Sequence, residues 1–390
     1  MRKRIALVNQ RYGLEVNGGS ELHCRQYAER LTEWYDVDVI TTCALDYERW
    51  ENYYPEGRSE LNGVNVIRFP VAKQRDPRSF NKLSARVLNN TVPEDEQLRW
   101  IDEQGPYCPA CVEYIKEHSG DYSVIIFMTY LYYLTAKGVA EKLDNALLLP
   151  TAHDEPPIYL SYYRQVFENA RAFIYNTVEE KAMVDRMFRV DGIPYVITGV
   201  GIDAPDESEL FDAKQRYGLE NYIIYAGRID ESKGCGTLFR YFEEYKKRNG
   251  GDLKLVLIGK SVMDIPKRDD IISLGFVSDE EKFSLIKDSK FLVLASEFES
   301  LSMVVLESMF YGRPVLVNGK CKVLKGHCVR SNAGLYFESY FEFEGAVNYL
   351  LSHGEEYSVM RENAKKYVSE NYRWDAIMTK LRELIDNFNA

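Results

Sequence analysis

Short apolar runs separated by helical stretches, occurring in two series, constrain this chain more than any other feature of it. The first series covers residues 4–9, 37–42, 64–69, 123–128, 146–150, 172–176 and 195–198. The second covers 222–226, 253–258, 271–274, 291–294 and 314–317. Helical patterns lie between most of the runs; Cys24, Ala28 and Leu31, for example, share one face of the stretch after Gly18 and Gly19. Strands without polar alternation are buried on both faces, as in parallel sheets covered by helices. Two such series predict two doubly wound, Rossmann-like α/β domains. The break is expected in 199–209, a Gly-, Asp- and Pro-rich stretch, giving a first domain from residue 1 to 203 and a second from 204.

Composition narrows the class. A hydrophobic content of 45% excludes a disordered chain, and 25 Gly with 13 Pro excludes a fibrous one. No apolar run approaches the roughly 18 residues of a membrane span. Met1-Arg2-Lys3-Arg4 is basic, but the apolar run 5–8 is too short for a signal-peptide core, so a cytoplasmic protein is expected. A net charge of −11 argues against nucleic acid as a partner. One stretch runs the other way: in 68–86, Arg68, Lys73, Arg75, Arg78, Lys82 and Arg86 face only Asp76. Seven scattered cysteines suggest reduced thiols. Cys108-Pro109-Ala110-Cys111 has zinc-knuckle spacing without a second close pair, and Cys321, His327 and Cys328 lie far away in sequence, so no metal site is expected.

Open α/β sheets bind ligands beyond the carboxyl ends of their strands, so the loops there carry the chemistry. Four are informative. In the first, Gly18-Gly19 precedes a helix whose free N–H groups suit an anion, although such turns also need glycine for conformation alone. In the second, Arg228 and Lys233 stand between Gly227 and Gly234. Arg can clamp two diphosphate oxygens while Lys supplies a point charge, unless Asp230 and Glu231 neutralise both. In the third, Glu299 sits in a loop and Glu307 about two turns into the next helix. Carboxylates there can accept sugar hydroxyls, with the N–H groups near Ser302 and Met303 turned to phosphate. In the fourth, His153-Asp154 follows a strand end, where a structural histidine is the bland alternative.

These residues carry a resemblance. Gly18-Gly19-Ser20-Glu21, His153-Asp154, Gly227-Arg228 with Lys233-Gly234, Glu299-x7-Glu307 and Gly312-Arg313-Pro314-Val315 together resemble a retaining glycosyltransferase of the GT-B fold, family 4 (glycosyl transferases group 1), over essentially the whole chain. The resemblance implies two facing Rossmann-like domains with a central cleft, and a final helix, 374–390, that rejoins the first domain and leaves 204–373 as the second. It implies catalytic roles for His153, Arg228, Lys233 and Glu299. Donor-binding roles fall to Gly18, Gly19, Arg228, Lys233, Glu299, Ser302, Met303 and Glu307: the cations hold the diphosphate, Glu307 the ribose and Glu299 the donor sugar. The donor is a nucleotide-diphosphate sugar, UDP favoured and GDP-mannose allowed, and the acceptor a hydroxyl on a glycan, a lipid-linked glycan or a small molecule. No cofactor and no metal is expected, because no Asp-x-Asp pair stands in a strand-end loop and the two cations can carry the leaving charge. Retention implies front-face attack by the acceptor.

The sequence departs from the pattern twice. Ser300-Leu301-Ser302 replaces a Gly-aromatic-Gly run, and a basic stretch, 318–330, replaces the usual Pro-Glu turn and is expected to be a loop. The alternative reading is a catalytically silent GT-B subunit acting as a scaffold; it expects eroded cationic and acidic ligands, and all four are present. Segment 73–88 is expected to form part of the acceptor site, with Phe80, Leu83 and Val87 on one helix face, against the inner face of a membrane. The competing expectation packs that helix on its own domain, with 94–103 balancing its charge.

Overall fold

The computed structural model describes residues 2–16 and 18–388. The chain divides into two compact units, one of residues 1–199 with 377–390 and one of residues 200–376. The expected divisions stood at 203/204 and 373/374.

The first unit runs β1 (Arg4–Val8), α1 (Gly19–Leu31), β2 (Asp36–Thr42), β3 (Gly57–Leu61), β4 (Val64–Phe69), α2 (Pro77–Leu88), α3 (Glu94–Gln104), α4 (Pro109–His118), β5 (Val124–Met128), α5 (Tyr133–Ala140), β6 (Ala146–Leu149), α6 (Tyr163–Asn169), β7 (Ala172–Tyr175), α7 (Val178–Met187) and β8 (Tyr195–Ile197). Its eight strands lie in the order β3-β4-β2-β1-β5-β6-β7-β8, all pairings parallel except β3 with β4. Every residue of β5 and β6 is buried, which is why these runs show no alternation. The antiparallel β3 escapes an apolar-run reading because Arg58, Ser59 and Glu60 are exposed on the sheet edge. Charge on an edge strand discourages pairing with another chain. Asn62 and Gly63, at φ 51° and 79°, turn β3 into β4 as a two-residue hairpin that needs both left-handed residues.

The second unit contains α8 (Ala213–Tyr217), β9 (Tyr222–Ala226), α9 (Cys235–Asn249), β10 (Lys254–Ile258), β11 (Ile271–Gly275), α10 (Asp279–Asp288), β12 (Leu292–Leu294), α11 (Met303–Phe310), β13 (Val315–Asn318), α12 (Lys322–Ser331), β14 (Gly334–Phe337), α13 (Tyr340–Ser352) and α14 (Gly354–Asn371). Its parallel sheet has the order β11-β10-β9-β12-β13-β14, so the winding reverses between β9 and β12. A reversal point opens a crevice at the strands' carboxyl ends. The last helix, α15 (Trp374–Asn387), lies in the first unit from Ile377 onward, where Lys3 pairs with Asp386 at 3.2 Å and Arg382 covers the Trp34 ring.

Two local expectations are corrected. The basic stretch 318–330 is not a loop: after β13 it forms α12, with Val323, Leu324, His327 and Cys328 buried. Apolar residues at helical spacing lie between its lysines, so the charges mark only the outer face. Glu307 lies a little over one turn into α11, not two, because that helix starts at Met303.

Candidate functional site

In the second unit the chemistry gathers around the reversal point. Gly227 and Arg228 follow β9, and a single helical turn, 231–233, brings Lys233 back toward the strand end. Asp230 caps that turn, accepting from the Lys233 N–H at 2.9 Å and the Ser232 hydroxyl at 2.7 Å; the Arg228 Nε donates to its other oxygen. Burial pushes the Asp230 carboxyl up, but these bonds and the Arg228 charge outweigh it and hold it below its ordinary value. Gly234 has φ 71°, and a Cβ there would stand 2.2 Å from the Ala295 carbonyl oxygen. The turn therefore lies directly against the start of the 295–302 loop. Lys233 Nζ donates to Glu299 Oε1 at 2.7 Å.

Loop 295–302 ends at Ser302, whose φ of 67° and ψ of 80° precede α11, and no side chain caps the helix. Its first N–H groups thus open toward the strand ends. Glu307 is buried, 7% exposed, and its Oε1 accepts from Lys282 Nζ at 2.9 Å. Burial pulls the Lys282 ammonium down, but Glu307 and then Asp279, at 3.2 Å, more than offset this and hold it above the usual lysine value. Sequence reasoning passed over Lys282. Its only signal is a charge on an otherwise core-facing position of α10, beside the buried Phe283 and one turn before the buried Ile286. A cavity of about 410 Å³ adjoins the site between Gly234, Thr237, Ala295, Phe298, Asn318 and Lys320.

The first unit holds the remaining expected residues. Gly18, at φ 152°, leads into α1, and its missing Cβ makes room for the Glu21 carboxylate; a Cβ there would lie 2.2 Å from Glu21 Oε2. Glu21 is buried and bonded by Arg11 at 2.5 and 3.0 Å, Gln10 at 2.9 Å and Ser20 at 2.8 Å. It therefore braces the turn from inside rather than facing a ligand. Among the described residues no atom lies within 4 Å of where a Gly19 Cβ would be. His153 lies beyond β6, its Nδ1 2.9 Å from Glu155 Oε1, and Tyr130 donates to the same oxygen at 3.1 Å. The loop rests on buried Glu180, whose two oxygens accept the Ala152 and Asn176 N–H groups, each at 2.6 Å. Burial raises the Glu180 carboxyl to about 7. Thr129 and Thr151, at φ 62° and 47°, hold strained backbone after β5 and β6, as rims of functional sites often do.

The cationic segment 68–86 proves largely structural. Buried Arg68 donates to Ser59 and to the Tyr12 carbonyl, and Arg75 donates to backbone oxygens of Tyr47, Glu48 and Gln104. Lys73 pairs with Glu103 and Arg86 with Glu96 on α3. Phe80 meets Trp100, and Val87 is 1% exposed, so the apolar face of α2 packs on α3. Arg78 and Lys82 remain exposed. Cys108 and Cys111 are free and buried, and among the described residues no group of three or more His, Cys, Asp and Glu side chains is placed to hold a metal. Among the described residues no helix is long and apolar enough to cross a membrane.

Residues 206–367, all in the second unit, match the family model described as Glycosyl transferases group 1. The chain is 24% identical to an uncharacterized glycosyltransferase of Methanocaldococcus jannaschii, over 96% of this chain and 95% of that one. It superposes on sucrose-phosphate synthase from Thermosynechococcus elongatus with a TM-score of 0.71 at 18% identity, covering 98% of each. It superposes on HepE of Anabaena, solved with UDP and glucose, with a TM-score of 0.69 at 13% identity, covering 98% of this chain and 99% of that one. The α/β fold with parallel-sheet domains is that of GT-B glycosyltransferase structures. The family match and the relatives support a glycosyltransferase.

Proposed function

We propose that the protein is a retaining, metal-independent glycosyltransferase that moves a sugar from a nucleotide-diphosphate sugar, UDP before GDP, to a hydroxyl acceptor. One observation carries the reading most. Arg228 and Lys233 stand in one short segment after the carboxyl end of β9, inside the segment that matches the glycosyltransferase model, with Glu299 and Glu307 on the loop and helix after β12. In this reading the two cations hold the diphosphate and Glu307 the ribose diol. Glu299 holds the donor sugar once Lys233 turns to phosphate. The N–H groups of Ser302 and Met303 add to the phosphate site.

As the sugar–oxygen bond breaks, negative charge grows on the leaving diphosphate. Arg228 and Lys233 meet that charge already oriented, which is where electrostatic catalysis gains most. The acceptor hydroxyl attacks the same face and passes its proton to a departing phosphate oxygen. The first unit, with His153 and the Gly18-Gly19 turn at its strand ends, takes the acceptor: a glycan, a lipid-linked glycan or a small molecule. A peripheral membrane contact, in this reading, rests on Arg78 and Lys82, the cations that α2 leaves exposed, and retention by anionic vesicles at low salt is its check.

The deciding experiment is a thermal-shift screen with UDP-, GDP- and ADP-sugars. A donor at 100 times its Kd stabilises the native state by about 2.7 kcal/mol and raises Tm by several degrees. A UDP-sugar is expected to give the largest shift. No shift with any of them removes the transferase reading in favour of a silent subunit.

A further inference from the structure

Helix α12, the basic stretch that the donor assignment leaves unused, reaches the 295–302 loop from behind. His327, on its second turn, is completely buried. Its Nε2 lies 2.8 Å from the Leu301 carbonyl oxygen and its Nδ1 3.0 Å from the Tyr367 hydroxyl on α14. A carbonyl only accepts, so Nε2 carries the proton; in a neutral ring Nδ1 then accepts, and Tyr367 donates to it. Arg330 Nε donates in turn to the Tyr367 oxygen at 3.3 Å. Every donor in the chain Arg330, Tyr367, His327 thus points one way, toward Leu301. Burial lowers the His327 pKa to about 4, which keeps the ring neutral for this role.

The same segment makes a second contact. Asn318, where the basic stretch begins, donates through Nδ2 to the Ala295 carbonyl oxygen at 2.9 Å. The 295–302 loop is therefore held near both ends from 318–330, Ala295 by Asn318 and Leu301 by His327. Directly after Leu301 comes Ser302, in a left-handed conformation that a non-glycine residue keeps only when its surroundings impose it. The turn contains no glycine, so an external anchor must supply what chain flexibility does not.

We propose that His327 is the positioning residue of the 299–302 turn: it fixes the Leu301 carbonyl and thereby aims the Ser302 and Met303 N–H groups and the Glu299 carboxylate at the diphosphate and sugar of the donor. This inference rests on the donor reading above. It gives α12 a task and explains how Ser300-Leu301-Ser302 does without glycine.

The test compares binding of UDP, GDP and uridine to the full chain and to His327→Phe, His327→Gln and Tyr367→Phe variants, by calorimetry at a temperature where circular dichroism shows each folded. Losing one buried hydrogen bond predicts about tenfold weaker nucleoside-diphosphate binding in His327→Phe. Uridine binding stays unchanged there, because Glu307 and Lys282 lie on other elements. His327→Gln recovers most of the loss, since its amide can donate to Leu301. Tyr367→Phe, which only frees the ring to reorient, gives a smaller loss of the same selectivity and decides the matter if His327→Phe does not fold. A folded variant that binds UDP and GDP like the unmodified protein overturns the proposal, as does an equal loss of uridine. Absence of nucleoside-diphosphate binding in the unmodified chain overturns the donor reading itself, and this inference with it.

Discussion

Lys233 Nζ and Glu299 Oε1 lie 2.7 Å apart, although the donor reading assigns one to phosphate and the other to sugar. The pair keeps both groups oriented over the β9–β12 reversal point until a ligand with its own negative charge competes for the lysine. In the donor reading that charge grows during bond breaking, so the cations would bind the transition state more tightly than the ground state. Lys233→Ala and Arg228→Ala are therefore expected to lower kcat by about 10²–10³ with smaller changes in donor KM. Steady-state kinetics on folded variants with a matched donor and acceptor checks this. Near-normal turnover in both variants would remove the site assignment.

Two glycines separate structural need from ligand approach. Gly234→Ala forces a Cβ onto the Ala295 carbonyl at positive φ and is expected to lower Tm by several degrees and to abolish donor binding. Gly19→Ala meets no atom of the described residues within 4 Å, so its Tm should match the unmodified protein. If a substrate approaches the backbone there, activity nevertheless falls at least tenfold. Unchanged activity in Gly19→Ala would mean that the turn needs its glycines only for shape.

Glu307 and Lys282 make a further pair whose members should respond differently. Glu307→Ala raises donor KM with little change in kcat, since ribose contacts do not alter during the reaction. Lys282→Met leaves a buried carboxylate uncompensated and is expected to cost about 2 kcal/mol of stability, below the usual range for a broken buried pair because Lys282 keeps some solvent contact. The double change Lys282→Met with Glu307→Gln should recover much of that loss. Urea unfolding of Lys282→Met, Glu307→Gln and the double variant gives the comparison, and additive losses would show that the pair is not coupled.

Stability should fall on acidification through two histidines. Burial lowers His23 from 6.5 to about 3 and His327 from 6.5 to about 4. Each stays neutral in the native state while the unfolded chain takes up its proton, so their contribution is complete above pH 6.5 and is lost as pH falls toward 4. The gap for His327 corresponds to about 3 kcal/mol. Glu180 acts in the opposite direction: raised from 4.5 to about 7, its contribution is present below pH 4.5 and lost as pH rises through 7. Two histidines outweigh one carboxyl, so Tm is expected to fall between pH 6 and 4. His327→Gln should remove most of that fall, because Glu180 then nearly offsets His23. An equally steep fall in the variant would locate the acid sensitivity elsewhere.

The sequence shows the doubly wound architecture because its central strands are buried on both faces and read as uninterrupted apolar runs. It hides β3, where edge exposure replaces the apolar run with Arg58, Ser59 and Glu60, although Asn62-Gly63 is a hairpin signal beside it. It hides α12 because Lys322, Lys325 and Arg330 interrupt a short apolar pattern that also contains Gly326. The strand-end residues Arg228, Lys233, Glu299 and Glu307 were legible from their loops. Asp230 was legible too, as a local anion able to neutralise Arg228. Lys282 and His327 were not, since each depends on contacts between distant elements or on which lone pair a neighbour leaves free. The cations of 68–86 read both ways, as an acceptor surface or as a packed helix balanced by 94–103, and the contacts agree with the second: Glu96 and Glu103, Tyr12 and Gln104 claim most of them.

All seven cysteines are unpaired and buried. Thiol reagents reach sulfur slowly when it is shielded from water, so the unmodified chain should take up little label in the folded state. A single cysteine placed on an exposed position of each unit, at Arg78 and at Lys247 for instance, would then carry the dye or spin label almost alone. The protein is thus its own cysteine-light background, and distances across it can be followed while nucleotide-sugar is added, with no native thiol removed first.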